Sequence, residues 1–139
     1  MRAEAPYVRS QFVVDTMEYL HKGGRCSSIA ALGANLLKLR PMIQVKDGKM
    51  SVVKKYRGKM SEVLKQYTNE RISEENEFIG KRITITHSGG CEEIAEELKA
   101  IILSKYADKE VIITRAGCTV SCHCGPGTLG VIGIRENNI

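Results

Sequence analysis

Most of the residues that could do chemistry sit in one short segment, Ala116-Gly117-Cys118-Thr119-Val120-Ser121-Cys122-His123-Cys124-Gly125-Pro126-Gly127-Thr128-Leu129-Gly130. Three of the five cysteines, Cys118, Cys122 and Cys124, lie there beside a single histidine. One reading is a thiol- or metal-dependent module built on those three thiols. A structural zinc site, however, commonly takes four ligands as two separated pairs, and adjacent residues rarely converge on one ion. Cys91 could join only from a distance. A Cys–His nucleophile needs a thiolate with the imidazole aimed at it. His123 neighbours both Cys122 and Cys124 in sequence, which turns its ring away from their sulfurs, and no orienting Asp or Asn is identifiable. For each cysteine alone, a small buried packing residue is the plain alternative. No catalytic residue, metal ligand or cofactor is assigned.

His123 itself is a different case. Small residues bracket it and Gly-Pro-Gly closely follows, so it sits where the backbone turns sharply and a ligand can approach. Imidazole can donate to a carboxylate, and a bound anion keeps the ring charged. The second candidate is Arg25, in Gly23-Gly24-Arg25 just ahead of a helix. Its guanidinium offers a bidentate fork for carboxylate or phosphate. A helix-flanking Arg in a surface ion pair is the competing reading. His21 and His87 have no such setting and read as ordinary surface or loop residues.

The elements that must position these residues follow from periodicity. Gln11 to Val14 reads as a strand and Asp15 to Leu20 as a helical turn, capped by the Asp15 carboxylate and ended by Gly23 and Gly24. Ser27 or Ser28 caps a helix to about Lys38, with Ile29, Leu32, Leu36 and Leu37 at helical spacing and Pro41 as the stop. Met42–Val45 and Met50–Val53 flank Asp47-Gly48, a hairpin signal. A helix from about Gly58 to Thr68 carries Met60, Val63, Leu64 and Tyr67 on one face, and Asn69 to Glu77 reads as its end and a linker. Strand Ile83–Thr86, helix Cys91–Tyr106 and strand Val111–Thr114 make a unit of the parallel, right-handed crossover type. A last strand lies near Val131 to Ile134. The fold class is α/β, with helices packed on one main sheet.

The 139 residues, 42% hydrophobic and 27% charged, suit one compact domain over residues 1–139. No apolar run reaches membrane-spanning length and no signal-peptide core is visible, so a cytoplasmic, soluble protein is expected. The net charge of +5 is spread thinly, densest at Lys54, Lys55, Arg57 and Lys59. Without aromatic interleaving or a recognisable module, this reads as a solvated basic rim near an acidic partner rather than a nucleic-acid surface. The odd cysteine count and crowded spacing favour reduced thiols over a disulfide framework.

Two segments together carry a resemblance. The stretch from Phe12 to Met50, with its Gly-Gly-Arg run, small-residue helix, Arg-Pro and hairpin, resembles the central part of the DegV family. His123 to Ile134, HCGPGTLGVIGI, resembles that family's C-terminal His-x-Gly-Pro-Gly signature. The resemblance implies a DegV/EDD-type C-terminal domain, a mixed sheet with helices packed on it, that binds a long-chain fatty acid and is not an enzyme. It implies that His123 and Arg25 hold the carboxylate end, together with hydroxyl residues of an N-terminal domain that this chain does not match. It also implies presentation of the acid to a separate dihydroxyacetone-kinase-like fatty acid kinase, with Arg57 at the partner's surface. The family usually has Thr on each side of the motif His, where this chain has Cys122 and Cys124.

Overall fold

The computed structural model describes residues 5–25, 39–73 and 78–135. The strands are β1 (Val8–Val13), β2 (Leu39–Lys46), β3 (Lys49–Arg57), β4 (Phe78–His87), β5 (Glu110–Arg115) and β6 (Leu129–Arg135). The helices among the described residues are α1 (Glu18–Lys22), α2 (Met60–Ser73), α3 (Glu92–Lys105) and α4 (Cys118–Cys124). The strands form one sheet in the order β3-β2-β1-β6-β4-β5. Only β4 and β5 run parallel; every other neighbouring pair is antiparallel. This is the mixed sheet of the expected α/β fold, and β4-α3-β5 is the expected crossover.

The alternation of side chains across a strand gives the sheet two different faces. On one, Val13, Ile83, Ile85, Val111, Leu129 and Val131 pack against Val63, Leu64 and Tyr67 of α2 and Ala95, Leu98 and Ile102 of α3. The other is partly covered at one end, where Val14, Met17 and Leu20 around α1 meet Ile43 and Cys124. Tyr67 also mends a gap in the sheet. The β1–β6 register runs Val8↔Ile134, Arg9↔Gly133 and then resumes at Phe12↔Gly130. Across the break, the Tyr67 hydroxyl donates to the Gln11 carbonyl at 2.8 Å and accepts from the Val131 amide at 3.0 Å.

The β2–β3 hairpin turns at Asp47 (φ 51°) and Gly48 (φ 73°), the positive pair that a two-residue turn requires. Three expectations are corrected. Asp15 does not cap α1, which starts three residues later, at Glu18. Its carboxylate instead pairs with Arg40 at 2.6 Å, a stronger partner than a backbone amide. Pro41 is not a helix stop but the third residue of β2. It is tolerated there because it lies near the strand start, beside the irregularity at Met42/Ile43, and its carbonyl accepts from Val14 at 3.1 Å. Finally, α2 continues to Ser73, burying Thr68, Arg71 and Ile72, because its apolar stripe persists beneath a polar outer face. The helix expected from Ser27 or Ser28 to Lys38 lies outside the described residues, as do residues 74–77 of the expected linker.

Candidate functional site

The Gly-Gly-Arg run closes α1, and each of its residues has a distinct task. Gly23 is the C-cap; Gly24 follows at φ +67°, with its amide bonded to the His21 carbonyl, and the Arg25 amide reaches back to the Leu20 carbonyl at 2.9 Å. That bond pattern is a Schellman closure, in which a glycine takes the left-handed position at little cost. Arg25 is exposed, and its guanidinium folds back onto the Gly23 carbonyl at 3.0 Å.

The second motif forms α4 and its exit. His123 sits in the last turn of α4, and its Nδ1 lies 2.7 Å from the Thr119 carbonyl. A carbonyl can only accept, so Nδ1 carries the hydrogen, and Nε2 is a lone pair in the neutral ring and a donor only in the imidazolium. The two motifs interlock. The His123 ring lies over Gly23, where a Cβ would stand 2.5 Å from Cδ2, and the Tyr19 ring lies over Gly125 (φ +79°), where a Cβ would overlap it. Each motif thus supplies the missing side chain against which the other packs.

The turn after α4 is stitched to the end of β4. Ser88 Oγ donates to the Gly125 carbonyl and accepts the Thr128 amide at 3.3 Å, while the Ser88 amide donates to the Thr128 carbonyl at 3.0 Å. His123 and His87 are therefore held on two segments that cannot shift independently.

His123 and Arg25 line one cavity of about 530 Å³, a volume within the ordinary range of small-molecule sites. His87 and Arg115 line it too, and among the described residues no Asp or Glu does. Arg115 is tethered loosely from outside by Glu92 at 3.6 Å. The cavity continues onto the less covered sheet face, where Phe12, Val45, Met50 and Ile132 form an apolar floor. The arrangement suits an anionic head with an apolar tail.

Two lining residues escaped the sequence reading. His87 is not a surface or loop residue: it ends β4 and is 6% exposed. Arg115 ends β5. The available signal was topological, since in open α/β sheets ligands gather beyond the carboxyl ends of parallel strands. His21 is exposed, as expected, and Arg57 is exposed at the end of β3, outside the cavity.

The three thiols of the rival module do not act together. Cys118 and Cys122 are exposed and lie one turn apart on α4, where the hydrogen bond between their thiols pushes the Cys122 pKa above its ordinary value. Cys124 is buried with Val14, Met17, Leu20 and Ile43, and burial raises its thiol. Cys91 is buried at the start of α3, and desolvation, with Glu92 and Asp15 nearby, pushes its thiol up to about 11. Among the described residues no three His, Cys, Asp or Glu side chains converge as a metal site requires.

A family model described as "Uncharacterised protein, DegV family" matches residues 1–136. The chain belongs to the DegV family. It is 34% identical over 131 residues to a DegV domain-containing protein of Clostridium acetobutylicum, covering 94% of this chain and 45% of that protein. Its fold superposes, at a TM-score of 0.75 and 25% identity, on the fatty acid binding DegV family protein of Streptococcus agalactiae, covering 98% of this chain and 47% of the other. The Streptococcus pneumoniae Fatty Acid Kinase (Fak) B3 protein, solved loaded with linoleic acid, shares the fold at a TM-score of 0.79 and 20% identity, with 98% and 47% coverage. The chain spans about half the length of the curated relatives it matches. No helix among the described residues is long and apolar enough to cross a membrane.

Proposed function

We propose that this DegV chain is the carboxylate-holding half of a fatty-acid carrier, with no catalysis of its own. The observation that carries the reading is the cavity whose polar end holds Arg25, Arg115, His87 and His123, with no carboxylate among the described residues, and whose floor is Phe12, Val45, Met50 and Ile132. An unpaired buried carboxylate is costly, so a lipid head group needs donors and a cation. Here His123 donates from Nε2 as the imidazolium, and Arg25 supplies a fixed positive charge at the rim. The tail contributes roughly 0.8 kcal/mol per buried CH₂, which dominates affinity, while the head-group residues set orientation.

On this reading, hydroxyl residues of a further domain complete the head-group site. A separate fatty acid kinase of the dihydroxyacetone-kinase type receives the acid, with exposed Arg57 as its contact. The location is cytoplasmic, because the exposed thiols Cys118 and Cys122 call for a reducing compartment. The test is native mass spectrometry with organic extraction, on this chain and on the full-length product where the gene encodes more. The expected result is a co-purified fatty acid that is lost in His123→Ala. Full-length protein that neither carries nor takes up fatty acid would overturn the carrier reading.

A further inference from the structure

Among the described residues around the cavity, His87 is a buried side chain whose hydrogen bonding is half complete. The side chain is 6% exposed, and Nδ1 accepts the Gly89 amide at 3.1 Å. A nitrogen that accepts carries no hydrogen, so the ring is neutral and its hydrogen is on Nε2. Among the described residues that Nε2–H meets no acceptor. His87 lines the cavity and Nε2 is not sealed in the core, so its hydrogen is open to whatever occupies that space.

The surroundings are poorly placed to supply the acceptor. Among the described residues no Asp or Glu lines the cavity. The Thr86 hydroxyl is engaged with that of Thr114 at 2.8 Å, the Thr128 hydroxyl with the Cys124 carbonyl at 3.1 Å, and the Ser88 hydroxyl with Gly125 and Thr128. None of these hydroxyls is bonded to His87, and each is held in place by another group. A ligand oxygen inside the cavity can supply the acceptor.

We infer that His87 is a second head-group residue, a donor whose Nε2–H takes one oxygen of the acid in the cavity it shares with His123. The inference rests on the carrier reading and deepens it. The two rings hold opposite tautomers: His87 offers a hydrogen, and neutral His123 offers a lone pair at Nε2. Together they fit both forms of a carboxylic acid. A neutral acid donates its O–H to His123 Nε2 and accepts from His87 at its carbonyl oxygen. A carboxylate accepts from His87 and from the imidazolium of His123. The two arrangements differ only in one proton moved from the acid oxygen to Nε2, so their total charge is the same. An acid can therefore enter uncharged, as it leaves a lipid phase, and be held as the anion. A methyl ester has neither a hydrogen for His123 nor a charge, and is discriminated against.

The test uses the full-length protein and oleate as probe. His87→Asn keeps an acceptor for the Gly89 amide and removes the outward donor, whereas His87→Gln places an amide N–H where Nε2–H stood. His87→Asn is expected to weaken oleate binding about tenfold or more, with ligand-free melting unchanged, and His87→Gln to recover most of the loss. In the wild type, nitrogen NMR of the ring should show Nε2 protonated throughout, with its proton moving downfield when oleate is added. Oleate bound equally by wild type and His87→Asn, with no change in the His87 ring signals, would make His87 a structural residue of the strand end and leave the carrier reading standing. A wild type that binds no oleate would overturn the carrier reading and this inference with it. Should His87→Asn fail to fold, the wild-type ring signals decide alone.

Discussion

Gly23 has backbone angles of φ −79° and ψ 0°, which alanine adopts without strain, so Gly23→Ala probes the packing of His123 rather than the turn. The added methyl would stand 2.5 Å from His123 Cδ2, 3.2 Å from Nε2 and 3.2 Å from the Tyr19 carbonyl. Ordinary carbon contacts need about 3.5 Å, so something must retreat by about 1 Å. The Tyr19 carbonyl is held by the Gly23 amide at 2.9 Å, so the ring is what moves. That movement gives up the 2.7 Å bond from Nδ1 to Thr119. Overpacking costs about 1–3 kcal/mol and a lost hydrogen bond about 1 kcal/mol, while a stiffer unfolded chain returns about 0.4–1 kcal/mol. The net expectation is a destabilisation of about 1–3 kcal/mol in urea unfolding. In an oleate titration, loss of a charge-assisted head-group bond adds a roughly tenfold or greater loss of affinity. Gly24→Ala is the control: φ is +67° but no atom lies within 4 Å, so it should cost about 1 kcal/mol of stability and leave oleate affinity intact. A folded Gly23→Ala protein that binds oleate like wild type, with His123 still bonded to Thr119, would refute the reasoning.

Tyr67→Phe removes the hydroxyl that bridges β1 and β6, leaving the Gln11 carbonyl and Val131 amide unpaired, and should cost about 2–4 kcal/mol in chemical denaturation. Of the four free thiols described, Cys118 and Cys122 should be alkylated rapidly in the native state, with Cys91 and Cys124 protected until unfolding, as peptide mapping would reveal. The Cys91 thiol is raised from 9.0 to about 11, so the folded chain keeps a proton that the unfolded chain releases. Its contribution to stability is whole below pH 9, falls as pH rises from 9 to about 11, and that part of the alkaline slope should vanish in Cys91→Ala. Because Nδ1 of His123 is committed to Thr119, binding an acid anion requires a proton at Nε2.

Much of the fold was legible in the residues. The hairpin at Asp47-Gly48, the crossover from Ile83 to Thr114 and the apolar stripes of α2 and α3 are local patterns, because side-chain periodicity and turn chemistry act over a few neighbours. The two motifs, and with them the family, were equally plain. The errors were competitive ones. Asp15 could cap a helix, but Arg40, distant in sequence, offered it more; Pro41 could end a helix, but a strand start accommodated it. The binding face itself belongs to the tertiary structure. His87 looked ordinary until β4 and β5 lay parallel and brought it and Arg115 to the cavity of His123. Gly23 looked like a helix stop until the His123 ring came to rest on it. Composition and spacing determine which elements form and which chemistry is present. Which side chains meet and which of them line the cavity depend on contacts between residues far apart in sequence, and only the packed chain decides them.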